Sequence, residues 1–219
     1  MKENRLKIKQ LSVTAMFCAL AFVLTYVKIP VAFLSLEVKD SVIVLCTLLF
    51  GPISGLVVAV LVPFLELITH STTGAYGLIM NILSSVTFAT VTGLIYKYKK
   101  NFYGAIIGLV SGVFAVTAVM VAANLLVTPY YLGVPMGEVA ALIPKMLLPF
   151  NLVKATLNGA IVLLLYKPIS NVLKKAGFLE RTSTAAPVGE RKVGRSVWVT
   201  VIAVAVIALS LAIIFFVLK

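Results

Sequence analysis

Long apolar runs separated by short polar segments dominate this chain and restrict the folds open to it. A helix needs about 20 apolar residues to cross the hydrocarbon core of a bilayer, which is roughly 30 Å thick. The chain is 61% hydrophobic, whereas soluble domains are about 45–50% apolar. The sequence therefore predicts an all-α integral membrane protein.

Six helices are predicted before residue 176, and one more apolar run follows near the carboxyl terminus. Their predicted ranges are 11–27, 41–50, 53–69, 78–96, 102–127, 139–166 and 197–218. The strong turn signal Gly51-Pro52 separates the second helix from the third. The predicted organisation is a basic N-terminal segment at 1–10, a six-helix domain at 11–175, a polar linker at 176–195 and a seventh transmembrane helix at 196–219.

The basic residues give the orientation. Most of the nineteen Lys and Arg residues fall in the segments 1–10, 97–101 and 167–195. Cytoplasmic loops of membrane proteins carry an excess of Lys and Arg. We therefore expect a multi-pass protein of the cell membrane with its amino terminus in the cytoplasm. The net charge of +12 then reflects topology and contact with anionic lipid, and nucleic acid is not expected as a partner.

Three polar residues interrupt the sixth predicted helix. Asn151, Lys154 and Asn158 are spaced i, i+3 and i+7, so they form one stripe on a helix. A lysine at bilayer depth costs about 2.5–3.5 kcal/mol on the insertion scale. We therefore expect Lys154 to face a pocket in the protein rather than lipid.

Other amides occur at matching depth. Asn81, Asn124 and Asn151 are all predicted in the outer halves of their helices, and Lys154 lies one turn deeper. Amides both donate and accept hydrogen bonds, which suits a neutral, planar ligand rich in heteroatoms. The alternative is that these side chains hydrogen-bond to each other or to backbone, as polar groups between membrane helices often do.

The predicted outer segments contain acidic residues. The segment 28–40 is expected to be ordered and partly extended, covering a pocket, or else to be a solvated connection with Glu37, Lys39 and Asp40 in water. Segment 128–135 is expected to be a turn-rich loop. Glu66 follows Pro63 near the outer end of its helix; we expect it to reach the interface, with a place beside a ligand as the alternative.

Several functional classes are not supported. The sequence has no Walker A, G-x-G-x-x-G, H-E-x-x-H or G-x-S-x-G motif, and no nucleophile–base pair is visible. We therefore expect neither an enzyme nor a bound cofactor. His70 is the single histidine, so a multi-histidine metal site is not expected. The chain has binding features without an energy source of its own.

Ordered short motifs between about residues 10 and 175 carry a resemblance to a known family. They are Ala15-x-x-x-Ala19, Leu36–Asp40, Gly51–Gly55, Met80-Asn81, Ser84-Ser85, Asn124, Thr128–Tyr131, Leu148–Lys154 and Leu165–Lys167. With these motifs the chain resembles the riboflavin-specific S components of energy-coupling factor (ECF) transporters, which are small six-helix vitamin-capture subunits.

The resemblance implies a function and a set of partners. An S component of this kind captures riboflavin on the extracellular side, with outer loops covering it. The family's polar contacts to the flavin map onto Asn124, Asn151 and Lys154. Ala15 and Ala19 map onto the surface that docks on a transmembrane T subunit, which is joined to two cytoplasmic ATPases. ATP hydrolysis then reorients the S component and releases the vitamin inside.

The full set of predicted binding residues is Asn81, Asn124, Asn151, Lys154, Glu37 and Asp40. The sequence departs from the family in two places: Lys39-Asp40-Ser41-Val42 stands where the family usually has Ser-Asp-x-Pro, and the seventh helix lies outside the six-helix core. An S component for a different vitamin and a structural membrane protein without transport activity remain alternatives.

Overall fold

The computed structural model describes residues 2–179 and 193–216. The described chain is almost entirely helical, and the all-α membrane fold with an added C-terminal helix is confirmed. The helices are α1 (Lys2–Leu24), α2 (Lys39–Phe50), α3 (Pro52–Thr69), α4 (Gly74–Tyr98), α5 (Phe102–Leu132), α6 (Met136–Ala141), α7 (Leu148–Lys175) and α8 (Val193–Phe216). Met1, most of the predicted linker (180–192) and the end of the predicted seventh helix (217–219) lie outside the described residues.

The helices differ in their capacity to cross a membrane. Within residues 2–179 and 193–216, four helical segments are long and apolar enough by length and composition, namely Pro52–Thr69, Gly74–Tyr98, Phe102–Leu132 and Ile143–Lys175. Shorter apolar helical segments are Ile8–Leu24 and Val199–Ile213. Helix α1 begins at Lys2 rather than at the predicted residue 11, since the polar residues 2–10 continue its helical turns.

The turn between α2 and α3 forms where it is predicted. Gly51 has a φ of 95°, a conformation that residues with a Cβ rarely adopt. Pro52 then opens α3, where its missing N–H and fixed φ cost nothing. The two residues make α2 and α3 antiparallel neighbours within the main hydrophobic core.

A β-hairpin occupies the segment between α1 and α2, which was expected to be only partly extended. Strands β1 (Lys28–Val31) and β2 (Leu34–Glu37) pair antiparallel, with Val31 opposite Leu34. Ala32, the first residue of the two-residue turn, has a φ of 52°, where glycine is the usual residue. We refer to the end of the bundle that carries this hairpin as the hairpin end.

Helix α5 continues to Leu132, so the prediction of a loop beginning at Thr128 is wrong for its first five residues. Pro129 lies inside the helix and does not end it. Gly133 ends it instead: this residue adopts the left-handed conformation with a φ of 68°, and its N–H donates to the Pro129 carbonyl over 2.9 Å. The C-terminal glycine is thus the stop signal.

The predicted helix 139–166 is interrupted near its start. Helix α6 ends at Ala141, a π-helical turn spans Ile143–Leu147, and α7 begins at Leu148. Pro144 and Pro149 lack the N–H donors that a continuous α-helix needs. Single π turns are frequent near functional sites, and this one directly precedes Asn151.

Helices α4 and α5 approach closely in the half of the bundle away from the hairpin. A Cβ on Gly108 would lie 2.9 Å from the Thr92 carbonyl oxygen, and one on Gly112 would lie 2.5 Å from Thr92 Oγ1. Thr92 Oγ1 also donates to the Gly108 carbonyl over 3.2 Å. The absence of side chains at Gly108 and Gly112 therefore permits close packing of the two helices.

Candidate functional site

An open cavity of about 770 Å³, counted with its solvent-facing part, lies at the hairpin end of the bundle. Its walls come from the hairpin, the C-terminal turn of α3, the first turns of α4 and α7, and the last third of α5. Ligand sites in helical proteins commonly lie in such clefts between the helices of a bundle. This cavity is therefore the candidate binding site.

The cavity combines apolar surface with a few polar groups. Its larger apolar and aromatic lining residues are Phe33, Leu34, Tyr76, Met80, Met120, Val127, Tyr131 and Phe150. Its charged lining residues are Lys28, Glu37, Glu66 and Lys154. Binding sites for small molecules are typically apolar, with a few placed polar groups that fix the orientation of the ligand.

All but one of the predicted binding residues line this cavity, namely Glu37, Asn81, Asn124, Asn151 and Lys154. They come from β2, α4, α5 and α7, so the fold brings together residues that are far apart in sequence. The expectation that Lys154 faces a pocket is confirmed. Their contact with a ligand stays a prediction.

Asn124 and Asn151 also hydrogen-bond to backbone carbonyl groups. This is the arrangement that the sequence left open as the alternative to ligand binding. Asn124 Nδ2 donates to the Met120 carbonyl over 2.7 Å, and its Oδ1 accepts from Thr128 Oγ1 over 2.9 Å. Asn151 Nδ2 donates to the Leu147 carbonyl over 2.8 Å. These bonds fix the orientation of both amides at the cavity wall.

Lys154 contacts the hairpin. Its Nζ donates to the Ser35 carbonyl over 3.2 Å, and Ser35 also lines the cavity. The ammonium group therefore lies between α7 and β2, beside the cavity, with further donor positions that can reach a ligand.

Asp40 and Asn158 depart from the predicted arrangement, because neither lines the cavity. The Asp40 carboxylate accepts hydrogen bonds from Ser85 over 2.5 Å and Ser84 over 3.4 Å, which join α2 to α4. Asn158 Nδ2 donates to the Glu37 carbonyl over 2.9 Å, and its Oδ1 accepts from the Ser41 N–H over 2.8 Å. Their side chains hold the junction of β2 and α2 in place.

Two lysines and two glutamates form a charged cluster beside the cavity, and we call Lys28, Glu37, Lys39 and Glu66 the charge cluster. Three of them are buried, and the Lys28 side chain is 25% exposed. Lys39 is 1% exposed and pairs with Glu37, and its Nζ lies 3.4 Å from Glu66 Oε2. Lys28 pairs with Glu66, and its Nζ lies 3.7 Å from Glu37 Oε1. The expectation that Glu66 reaches the interface is wrong, because the ion pairs hold it inside.

The charge cluster connects the hairpin to the bundle. Glu66 belongs to α3 and Lys39 to α2, whereas Lys28 and Glu37 are paired residues of β1 and β2. Asn81 Nδ2 of α4 also donates to Glu66 over 3.0 Å. The prediction that segment 28–40 is ordered over a pocket is confirmed, and the solvated alternative is excluded by the burial of Glu37, Lys39 and Asp40.

Glu37 is held in its charged form. Burial alone raises the pKa of a carboxyl group, but the neighbouring charge of Lys39, with Lys154 and Lys28, lowers the pKa of Glu37 to about 2. The carboxylate is therefore ionised at neutral pH. With two lysines and two glutamates on its wall, the cavity has balanced charge.

Sequence reasoning missed Lys28 and the aromatic residues of the wall. Lys28 was not singled out, although it begins a segment of alternating polar and apolar residues. Tyr76, Tyr131 and Phe150 resemble ordinary interface or core residues in sequence. The signal available was an acidic residue, Glu66, inside an apolar helix, which calls for a cationic partner.

A model of the family described as "ECF transporter, substrate-specific component" matches residues 9–170. The chain belongs to this family. Members are S components, and the predicted resemblance is confirmed at this level.

Two riboflavin transporters are similar to this chain over most of its length. It is 30% identical to the riboflavin transporter RibU of Staphylococcus aureus (strain TCH60) over 184 residues, 80% of this chain and 97% of that protein. It is 25% identical to the riboflavin transporter FmnP of Bacillus subtilis (strain 168), over 74% of this chain and 92% of that protein.

A solved structure also matches the fold. It is described as "Structure and mechanism of the S component of a bacterial ECF transporter", and it aligns with a TM-score of 0.67 and 30% identity. The match covers 77% of this S component and 99% of the other chain. Helix α8 lies beyond the residues that the family model matches.

Proposed function

We propose that this S component captures riboflavin at the outer side of the cell membrane and delivers it inward when coupled to an energising module. The observation that carries the proposal is the cavity in which Asn124, Asn151 and Lys154 meet. The similarity to two riboflavin transporters supports it. The chain binds and carries the vitamin and performs no catalysis.

The cavity wall matches the chemistry of a flavin. The ring system has two apolar faces, which Met80, Met120 and Phe150 can contact. Its edge presents carbonyl oxygens and nitrogens to the amides and to the Lys154 ammonium, which together donate and accept hydrogen bonds. The hydroxyl groups of the ribityl chain suit the carboxylates of Glu37 and Glu66.

Binding to the purified protein tests the proposal. Riboflavin fluorescence is expected to fall as the flavin enters the cavity, and a stoichiometry of one is expected. Thiamine and biotin serve as controls and should not compete. If a different vitamin bound instead, the chain would be an S component of another specificity.

Transport requires partners, which we propose to be a transmembrane T subunit and two cytoplasmic ATPase subunits. Ala15 and Ala19 lie one turn apart on α1 and are both exposed in the described chain. Small residues at this spacing allow another helix to approach closely. We propose this face as the docking surface for the T subunit.

The docking surface has a direct test. The double variant Ala15→Leu/Ala19→Leu is expected to abolish riboflavin uptake by cells that express the whole transporter, while the purified variant still binds riboflavin. Ala140→Leu/Ala141→Leu is a matched control, because both alanines are exposed and lie at the hairpin end. Normal uptake by the Ala15/Ala19 variant would contradict the docking surface.

We further propose that the amino terminus and the α4–α5 turn face the cytoplasm. The clustering of Lys and Arg near these ends supports this orientation. It places the hairpin and the cavity opening on the outer side. Labelling of single cysteines introduced at Lys100 and Gly133 by a membrane-impermeant reagent tests it: only the cysteine at 133 should react in intact cells.

A further inference from the structure

The hairpin has two chemically different faces. Side chains alternate between the faces of a strand, and the register puts the pair Lys28 and Glu37 on one face and the pair Ile29 and Leu36 on the other. The first face joins the charge cluster and lines the cavity. The second face is apolar and needs a different partner.

That partner is not the main core of the bundle. The apolar face of the hairpin belongs to a separate cluster, in which Val31 and Leu36 are buried with Phe150, Val153 and Leu157 of α7. The residues packed against it from α8 are Ile207, Leu211 and Ile213. The π turn adds Met146 to this cluster, and Val38, between β2 and α2, also packs against it.

Helix α8 therefore packs against α7 and against the cluster that holds the apolar face of the hairpin. Its C-terminal half contacts the cluster that holds the N-terminal turns of α7, so the two helices run antiparallel. Ala203 and Ser210 of α8 are also buried, at 3% and 4% exposure. Ile202 and Leu209, in contrast, are 59% and 62% exposed on the other side of α8.

We propose that α8 acts as a support that holds the hairpin in place at the cavity wall and so sets how long the ligand stays bound. Ile207 and Leu211 are its positioning residues: they pack against the cluster that contains Val31 and Leu36, and neither lines the cavity. The proposal rests on the proposed function, because it concerns the same cavity. It assigns a role to the helix that lies beyond the matched family region.

Two sets of contacts hold the hairpin in place, one apolar and one ionic. The hairpin forms part of the wall of the open cavity, so a ligand held between the hairpin, α5 and α7 leaves faster when the hairpin moves away from α7. Such a movement separates the apolar face of the hairpin from α7 and α8 and breaks ion pairs of the charge cluster. Truncating Ile207 and Leu211 of α8 weakens the apolar contacts and so lowers the free energy needed to move the hairpin. The ion pairs of the charge cluster are unchanged.

The test measures riboflavin dissociation from the full chain. Purified protein loaded with riboflavin is diluted into buffer with an excess of a non-fluorescent competitor, and the recovery of flavin fluorescence gives the rate. Ile207→Ala/Leu211→Ala is expected to speed dissociation about tenfold or more, since truncated apolar contacts of this size commonly shift such equilibria by that factor. Ile207→Ala alone should give a smaller increase.

The matched control is Ile202→Ala/Leu209→Ala, which removes the same groups from the exposed side of α8. Riboflavin should dissociate from this control variant at the wild-type rate. A purely structural role for α8 predicts a different pattern, with fewer functional binding sites but an unchanged rate in those that remain. Our proposal predicts full stoichiometry with faster release.

The outcomes separate the two proposals. Equal dissociation rates for the Ile207/Leu211 variant and its control, with the unmodified chain binding riboflavin, would overturn the role of α8 alone. Failure of the unmodified chain to bind riboflavin would overturn the proposed function and this inference with it. If the double variant did not fold, the rate of Ile207→Ala against Ile202→Ala would decide.

Discussion

The two halves of the α4–α5 pair show how one pair of helices can be both a tight contact and a cavity wall. Away from the hairpin, no Cβ fits at Gly112 because Thr92 and Phe88 lie too close. At the hairpin end, Asn81 of α4 and Asn124 of α5 both line the cavity. The size of the facing residues decides whether the helices touch or leave space.

The two halves also differ in how they hold polar groups. The contact between Tyr96 and Tyr166, far from the hairpin, joins two neutral hydroxyl groups over 2.6 Å. At the hairpin end, the charge cluster places two lysines and two glutamates together, and Lys39 among them is 1% exposed. Buried charge costs several kcal/mol per ion unless it is paired, so we expect the cavity half to be more sensitive to single substitutions.

The largest expected effect comes from Glu66→Gln. It leaves Lys28 and Lys39 with Glu37 as their shared partner, so one buried positive charge is uncompensated. We expect a loss of about 3 kcal/mol in stability, the lower end of the usual range, because Lys39 keeps its pairing with Glu37. Thermal unfolding of the purified protein in detergent measures it.

Glu138→Gln is the control for this variant, because Glu138 is exposed on α6. It should unfold at the wild-type temperature. If Glu66→Gln were equally harmless, the charge cluster would not stabilise the cavity half, and the contrast between the halves would rest on packing alone.

The next effect concerns affinity and not stability. Lys154→Ala is expected to weaken riboflavin binding by roughly 10- to 100-fold, as a hydrogen bond to a charged group contributes about 1.5–3 kcal/mol. Fluorescence titration measures it. Lys145→Ala is the control, because Lys145 is exposed in the π turn.

A different result would change the role of Lys154. If Lys154→Ala lowered the unfolding temperature and left the affinity unchanged, the lysine would act only through its bond to Ser35 on the hairpin. The polar stripe would then serve helix packing, as in the alternative that the sequence left open.

Local signals were sufficient for much of this fold. The apolar runs predicted the helices, and Gly51-Pro52 predicted the turn between α2 and α3. The similar depth of the asparagines and of Lys154 along their helices suggested one cavity, because residues at similar depth in neighbouring helices can meet when they lie on facing sides.

What the sequence did not predict depends on distant partners or on a competition between local signals. The charge cluster joins Lys28 and Lys39 to Glu66, 38 and 27 positions away, and no periodicity reports such pairs. The hairpin turn uses Ala32 in a conformation typical of glycine, so its usual signal is missing. Pro129 suggested a helix end, but α5 continues past it to Leu132 and is capped by Gly133.

The smallest expected effect concerns the tightly packed half of the α4–α5 pair. In Gly112→Ala the new methyl group would meet Thr92 Oγ1 at 2.5 Å and Phe88 at 2.7 Å. Overpacking costs about 1–3 kcal/mol, and the better helix propensity of alanine returns about 0.5–1 kcal/mol. The net loss of stability should therefore lie between about 0 and 2.5 kcal/mol, measured by thermal unfolding.

Gly137→Ala is the matched control, because no atom lies within 4 Å of the position of its Cβ. This variant should be as stable as the unmodified protein or slightly more stable. Because Gly112 does not line the cavity, Gly112→Ala should bind riboflavin with unchanged affinity once folded. If all of the folded Gly112→Ala protein still bound riboflavin but with lower affinity, the changed spacing of α4 and α5 would have altered the cavity. The two halves would then act as one unit.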